Sequence, residues 1–139
     1  MDILINVISY ITLVLLIFLP IILSKLTVKL HLKSKYIIGG SALIILSLIL
    51  LIFSAWWSDF SSQILLTQYN YNFNGTNETE NFKNVKKIDI QKVAELKKSL
   101  MGIGWPLKAI MIFPFYLTYS GFAFFITTRI TKNKILKTV

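Results

Sequence analysis

Residues 36–57 read YIIGGSALIILSLILLIFSAWW, twenty-two positions without a charged side chain. At about 1.5 Å of rise per residue, a helix of that length reaches across the ~30 Å hydrocarbon core of a bilayer. The flanks give it a direction. Lys25, Lys29, Lys33 and Lys35 crowd the side before it, and basic residues mark the cytoplasmic face. Trp56 and Trp57 close the other end, where indole rings favour the lipid–water boundary. The stretch therefore predicts a span that runs outward from the cytoplasm and is anchored at both faces.

Two more blocks repeat the pattern. Residues 3–24 are uncharged, preceded by Asp2 rather than by a basic cluster, and followed by no small-residue cleavage site. They read as a retained helix and not as a signal peptide. Pro20 is expected to bend its last turn, because proline removes one bond from the helical ladder. Asn6, Ser9 and Tyr10 read as a polar helix end in the headgroup zone. After Trp105-Pro106, residues 106–128 make the third expected span. Pro114 should kink it and free a carbonyl for another partner. Arg129, Lys132, Lys134 and Lys137 then form a second basic cluster, expected in the cytoplasm.

Between the first two spans the apolar residues Leu26, Val28, Leu30 and Leu32 alternate, which is a strand period. Lys25, Lys29 and Lys33 are four apart, which is a helical stripe. A strand here has nothing to pair with, so a helical extension followed by a tight connection is expected. Lys25, Lys29, Lys33, Lys35, Arg129 and Lys132 are the candidate contacts to anionic lipid headgroups. Trp56, Trp57 and Trp105 are the candidate interface anchors.

Composition agrees with a small polytopic membrane protein. Of 139 residues, 55% are hydrophobic and 15% charged, and the hydrophobic ones are gathered in three blocks instead of being spread at globular periodicity. The formal net charge is +9. With no cysteine and the single histidine His31, thiolate sites and two-histidine metal sites within one chain are excluded. Asp2, Asp59, Glu78, Glu80, Asp89 and Glu95 all lie outside the hydrophobic blocks. Proton and cation pathways usually carry carboxylates at membrane depth, which argues against a transporter or pump acting alone. No phosphate loop or nucleophile elbow is present. No catalytic residue, metal, cofactor or small-molecule substrate is therefore expected. The lysines are divided between both sides of the membrane, which argues against nucleic acid.

Residues 58–104 are the expected extracytoplasmic segment. Tyr69, Tyr71 and Phe73 alternate with Asn70, Asn72 and Asn74, and the run ends at Asn74-Gly75, a turn signal. This predicts a short β-hairpin, with a strand near 65–73 paired to one near 82–88. Asn74 and Asn77 each begin a glycosylation-type triplet, which chance explains in a chain this rich in Asn and Thr. Asp89 should cap a helix over IQKVAELKKSL, lying in the interface with Ile90, Val93, Ala94, Lys97 and Met101 on one face. Gly102 and Gly104 should end it.

The expected fold class is thus membrane all-α, with three transmembrane helices and a small β-hairpin-plus-helix segment between the second and third. The chain divides into a hairpin of spans (1–57), the extracytoplasmic segment (58–104), and a third helix with a basic tail (105–139). Small residues let helix backbones approach in lipid, which marks Gly39, Gly40 and Ser41 of the second span as a contact patch. Ser47 and Ser54, one heptad apart, could line the same interface. Tyr116, Tyr119, Ser120 and Gly121 form a polar face on the third span, suited either to lining a pathway or to hydrogen-bonded packing, and are assigned as its partner-binding face. Lys108, one turn inside the outer end, is expected to snorkel to the interface. These features predict a non-catalytic accessory or assembly subunit of a larger membrane complex. Its partners would be other integral membrane subunits and anionic lipids, and its place a bacterial inner membrane with the amino terminus outside. The alternative is a stand-alone protein giving immunity to a pore-forming toxin or excluding a phage.

Overall fold

The computed structural model describes residues 1–30 and 34–136, with the side chains of 35 and 134–136 outside the description. Three long helices carry the fold: α1 (Asp2–Lys29), α2 (Lys35–Gln68) and α5 (Trp105–Leu136). All three are long and apolar enough to cross a membrane, so the chain is an integral membrane protein by that measure. Between α2 and α5 lie α3 (Glu78–Phe82), a 3-10 turn (Lys87–Asp89) and α4 (Ile90–Leu100).

Side-chain contacts fix the register of the bundle. Trp57 Nε1 of α2 donates to Ser9 Oγ near the start of α1 (3.2 Å), while Gly39 of α2 sits against Thr27 near the end of α1, so the two helices are antiparallel. Tyr116 meets Leu16 and Thr128 meets Ser24, so α5 runs parallel to α1. Lys25, Lys29, Arg129 and Lys132, all exposed, gather at one end of the bundle, and the segment between α2 and α5 caps the other. Lys33 lies outside the described residues, and Lys35 opens α2 with its side chain outside them.

The bundle interior is narrow. Leu23, Leu43 and Phe124 form its apolar core, with Leu19 packed against them. The other buried positions include Thr12, Ser24, Thr27, Ser47, Ser120 and Thr128. Large apolar side chains point outward instead, such as Ile3, Ile37, Ile110 and Phe115. Lipid tails are as apolar as leucine, so such side chains gain nothing by turning inward. Small hydroxyl residues bring the helices close by packing; Ser24 and Thr128 also bond across helices, while Thr12, Thr27 and Ser120 donate to their own backbone.

The expected β-hairpin is absent: there is no strand among the described residues. Its first half, 65–68, belongs to α2, which continues past Trp57 to Gln68. Asn70 then takes a left-handed conformation, φ 57°. The Asn70 N–H donates to the Thr67 carbonyl and the Tyr71 N–H to the Leu66 carbonyl, both at 3.0 Å. That pair of bonds closes a helix C-terminus, and Tyr71 and Leu66 join the same apolar cluster, as this ending favours. Asn74-Gly75 does not make the tight hairpin turn, which needs positive φ, since among the described residues no glycine has one. One backbone bond, Asn72 N–H to Asn81 carbonyl (3.0 Å), ties the first stretch read as a strand to the residue just before the second.

What forms instead is a small helical cap on the end of α2. Leu66, Val85 and Val93 are its core, surrounded by Tyr69, Tyr71, Phe82, Leu96 and Leu100. Tyr71 meets Phe73 and Phe82 edge-on, with ring centroids 5.1 and 5.4 Å away. Asn77 stands at the N-cap position of α3, and Glu80 reaches back to accept from the Thr76 N–H (2.9 Å) and hydroxyl (2.8 Å). Those bonds, the hydroxyl's first, hold the Glu80 carboxyl below its ordinary pKa. The inward face of α4 also differs from the expected one. Val93, fully buried, with Leu96 and Leu100, packs on α2, whereas Ile90, Ala94 and Met101 are exposed. Asp89 occupies the N-cap position without a side-chain capping bond.

Because Tyr71 is the aromatic hub of this cap, Tyr71→Ser should loosen the cap and leave the spans inserted. Limited proteolysis should cut faster between residues 74 and 81, with membrane extraction of the chain unchanged. An unaltered cleavage rate would show that the ring cluster does not hold the cap.

Candidate functional site

Pro20 explains the polar face of α5. A proline inside a helix has no N–H for the carbonyl four residues earlier, here Leu16. Pro20 lies well inside α1, which continues to Lys29. The Tyr116 hydroxyl donates to the Leu16 carbonyl (2.7 Å), and the Tyr119 hydroxyl donates to the neighbouring Ile17 carbonyl (3.1 Å). In hydrocarbon an unpaired carbonyl costs several kcal/mol, so Tyr116 replaces the bond the proline removed, and Tyr119 adds one to the carbonyl beside it. About two helical turns further along the same seam, the hydroxyls of Ser24 and Thr128 share a buried hydrogen bond of 2.9 Å.

This use of the tyrosines divides the predicted partner-binding face. Ser120 is fully buried in the bundle, and its hydroxyl donates to the Leu117 carbonyl (3.1 Å). Tyr116 is half-buried against α1. Tyr119 remains 45% exposed, although its hydroxyl is engaged. Gly121 faces outward with open space where a β-carbon would stand. The small patch on α2 divides in the same way. A β-carbon on Gly39 would lie 2.6 Å from Phe124 Cζ and 2.8 Å from Thr27 Cγ2, so this glycine is where α1, α2 and α5 converge. Gly40 meets nothing within 4 Å, and Ser41 is exposed, its hydroxyl donating to the Ile38 carbonyl (3.0 Å). Ser47 is fully buried, while Ser54 is half-buried.

At the capped end Lys108 does not simply snorkel. Its ammonium pairs with the Asp59 carboxylate of α2 at 2.7 Å, with side chains 29% and 13% exposed respectively. Asp59 lies in the part of α2 beyond Trp57, past the end of the uncharged stretch. The anchors gather beside it. Trp56 stacks on Phe60 with centroids 4.8 Å apart, and Trp105 lines an apolar cleft of about 220 Å³ between α2 and α5 with Leu48, Ile52 and Phe113.

Further ion pairs tie the cap down. Lys92 of α4 donates to Tyr69 Oη (2.6 Å) and to the Asp2 carboxylate (3.0 Å), joining α4 to the beginning of α1. The tyrosine hydrogen bond first, and then the carboxylate, raise the Lys92 ammonium above its ordinary pKa. Lys97 pairs with Glu78 at 2.6 Å and lies 5.7 Å from the Phe82 ring centroid. Its hydrogen bond pulls the Glu78 carboxyl below the usual range. These are structural clasps. Among the described residues no three His, Cys, Asp or Glu side chains come together as metal ligands.

On the outside of α5, a shallow groove runs past Leu117, Thr118, Gly121, Phe122 and Phe125. Phe122 and Phe125 are 68% and 50% exposed and stand as ridges beside the glycine. No sequence signal separated Gly121 from Ser120, because the side of a helix that faces its own bundle depends on where Pro20 places α1.

No family model matches the chain, and no curated protein or solved structure is similar to it.

Proposed function

We propose that this chain is a non-catalytic accessory or assembly subunit of a larger membrane complex. The observation that carries this reading is the outward groove of α5, floored by Gly121 and flanked by Phe122 and Phe125. A glycine on a lipid-facing surface contributes no packing to its own bundle and costs helix stability relative to alanine. Its advantage is close approach by a second helix, with the two rings interdigitating beside it. The proposed partner is therefore another integral membrane subunit, with Tyr119 and Gly40 beside further exposed faces. Anionic headgroups would meet Lys25, Lys29, Arg129 and Lys132 at the basic end.

Gly121→Leu tests the reading. Stoichiometric subunits that co-purify in mild detergent with the wild-type chain should be lost in this variant, while its own thermal unfolding changes little. Ile126→Leu, at an exposed position on α5, should keep them. A wild-type chain that purifies alone would instead favour a stand-alone immunity or exclusion protein.

The proposed setting is a bacterial inner membrane, with the amino terminus and the cap outside and the carboxyl tail in the cytoplasm. Its support is the exposed basic end of the bundle and the short connection beside it, since basic residues in short connections set orientation. Cysteines at Asn77 and Thr138 should then label from opposite sides with an impermeant reagent. Labelling from one side would overturn this orientation.

A further inference from the structure

A cavity of about 600 Å³ opens in the cap between the end of α2, the 71–73 turn and the end of α4. Its walls carry Asp59, Gln63 and Thr67 from α2, spaced four apart on one helical face, and Lys97 from α4 opposite them. Phe73 and Met101, 52% and 74% exposed, add apolar surface. The volume falls within the range of small-ligand sites, roughly 300–1,000 Å³.

Position and charge narrow the ligand. Asp59 stands two residues after Trp57, and Met101 four before Trp105, so the cavity opens at the level where tryptophans mark the lipid boundary. Both signs of charge are present: a carboxylate that gives one oxygen to Lys108, and an ammonium that also holds Glu78. The four groups sum to zero (Asp59 and Glu78 negative, Lys97 and Lys108 positive). A net-neutral ligand with separated charges suits such a wall better than an anion or a cation does. Gln63 and Thr67 add neutral hydrogen-bonding groups on the α2 side.

We propose that this cavity binds the headgroup of an aminophospholipid: the lipid ammonium faces Asp59 and Gln63, its phosphate faces Lys97, and the start of its acyl chains meets Phe73 and Met101. The ammonium has N–H donors that a carboxylate and an amide oxygen accept, and the phosphate accepts from the lysine. A quaternary ammonium lacks those donors, so a choline headgroup is discriminated against. Among the described residues, the basic end of the bundle offers Lys25, Lys29, Arg129 and Lys132 with no carboxylate beside them.

The experiment titrates the full chain in maltoside micelles with dihexanoyl phosphatidylethanolamine, with the matching choline and glycerol lipids, and with free phosphoethanolamine. Methyl NMR of Met101 and Thr67 is the readout. The ethanolamine lipid should shift both signals saturably, at about tenfold higher affinity than either other lipid, as one charge-assisted hydrogen bond implies. Free phosphoethanolamine should compete more weakly. Gln63→Leu and Lys97→Met should each weaken binding about tenfold, and Lys92→Met, outside the cavity, should not. Gln63 makes no side-chain bond within the cap, so its variant reports on binding even if Lys97→Met disturbs the clasp to Glu78. Equal responses to the three lipids would overturn the proposal. So would unchanged affinity in Gln63→Leu, or free phosphoethanolamine binding as tightly as the lipid.

Discussion

Gly39→Leu should cost this protein about 3 kcal/mol of stability, near the top of the usual range for overpacking a close-packed site. The β-carbon alone would lie 2.6 Å from Phe124 Cζ and 2.8 Å from Thr27 Cγ2. Neither neighbour has room to withdraw, because both are buried and Phe124 is wedged against Leu23 and Leu43. All three spans would have to move apart, and the seam at Ser24 and Thr128 would lengthen with them. At Gly40, one residue along, a β-carbon meets no atom within 4 Å, and Gly40→Leu should change stability by no more than about 0.5 kcal/mol. Reversible unfolding in mixed micelles compares the two directly. Equal losses would mean that the convergence of helices at Gly39 has been misread.

Lys108→Met should also be costly, because it strands the Asp59 carboxylate at a site where its side chain is only 13% exposed. Fully buried pairs lose about 3–5 kcal/mol when one partner is removed; here Lys108 is partly solvated, so about 2 kcal/mol is expected. Adding Asp59→Asn should recover much of that loss, since the amide needs no counter-charge. The exchanged pair, Asp59→Lys with Lys108→Asp, should recover part of it too. If the single and double variants unfold alike, the pair contributes nothing and Lys108 merely reaches for water.

How much of this was readable in advance follows from the physics of each segment. The three spans were plain, because an uncharged run of bilayer length has few other fates and the basic and tryptophan flanks repeat the message. The cap was not. The alternation of Tyr69, Tyr71 and Phe73 is a real pattern, but it begins where a helix ends, and the left-handed Asn70 turns the chain so that Tyr71 covers Leu66. Asparagine is one of the few residues that accept that conformation, yet a period-two alternation reads the same way whether it starts a strand or follows a helix end. Asn77 followed by Glu80 is a helix-start spacing legible in the sequence, and it marks the beginning of α3. On α5 the sequence marks a polar face, but not which side of it turns toward α1. Pro20 frees the Leu16 carbonyl, and a donor on a neighbouring span was the foreseeable consequence.

The unbroken length of α2 has a mechanical meaning. Its 34 residues make a rod of about 51 Å, well beyond the ~30 Å hydrocarbon layer, and the surplus is the post on which the cap is built. With no hinge between membrane and cap, a change of tilt in one becomes a displacement of the other: about 10° at the basic end moves the capped tip by roughly 9 Å, from that rod length. Lys92 meanwhile ties the cap to the first residues of α1 through Asp2. Bilayer thickness, or a neighbour leaning on α5, would thus be registered as lateral motion of a surface outside the membrane, with the chain serving as a lever as well as a scaffold.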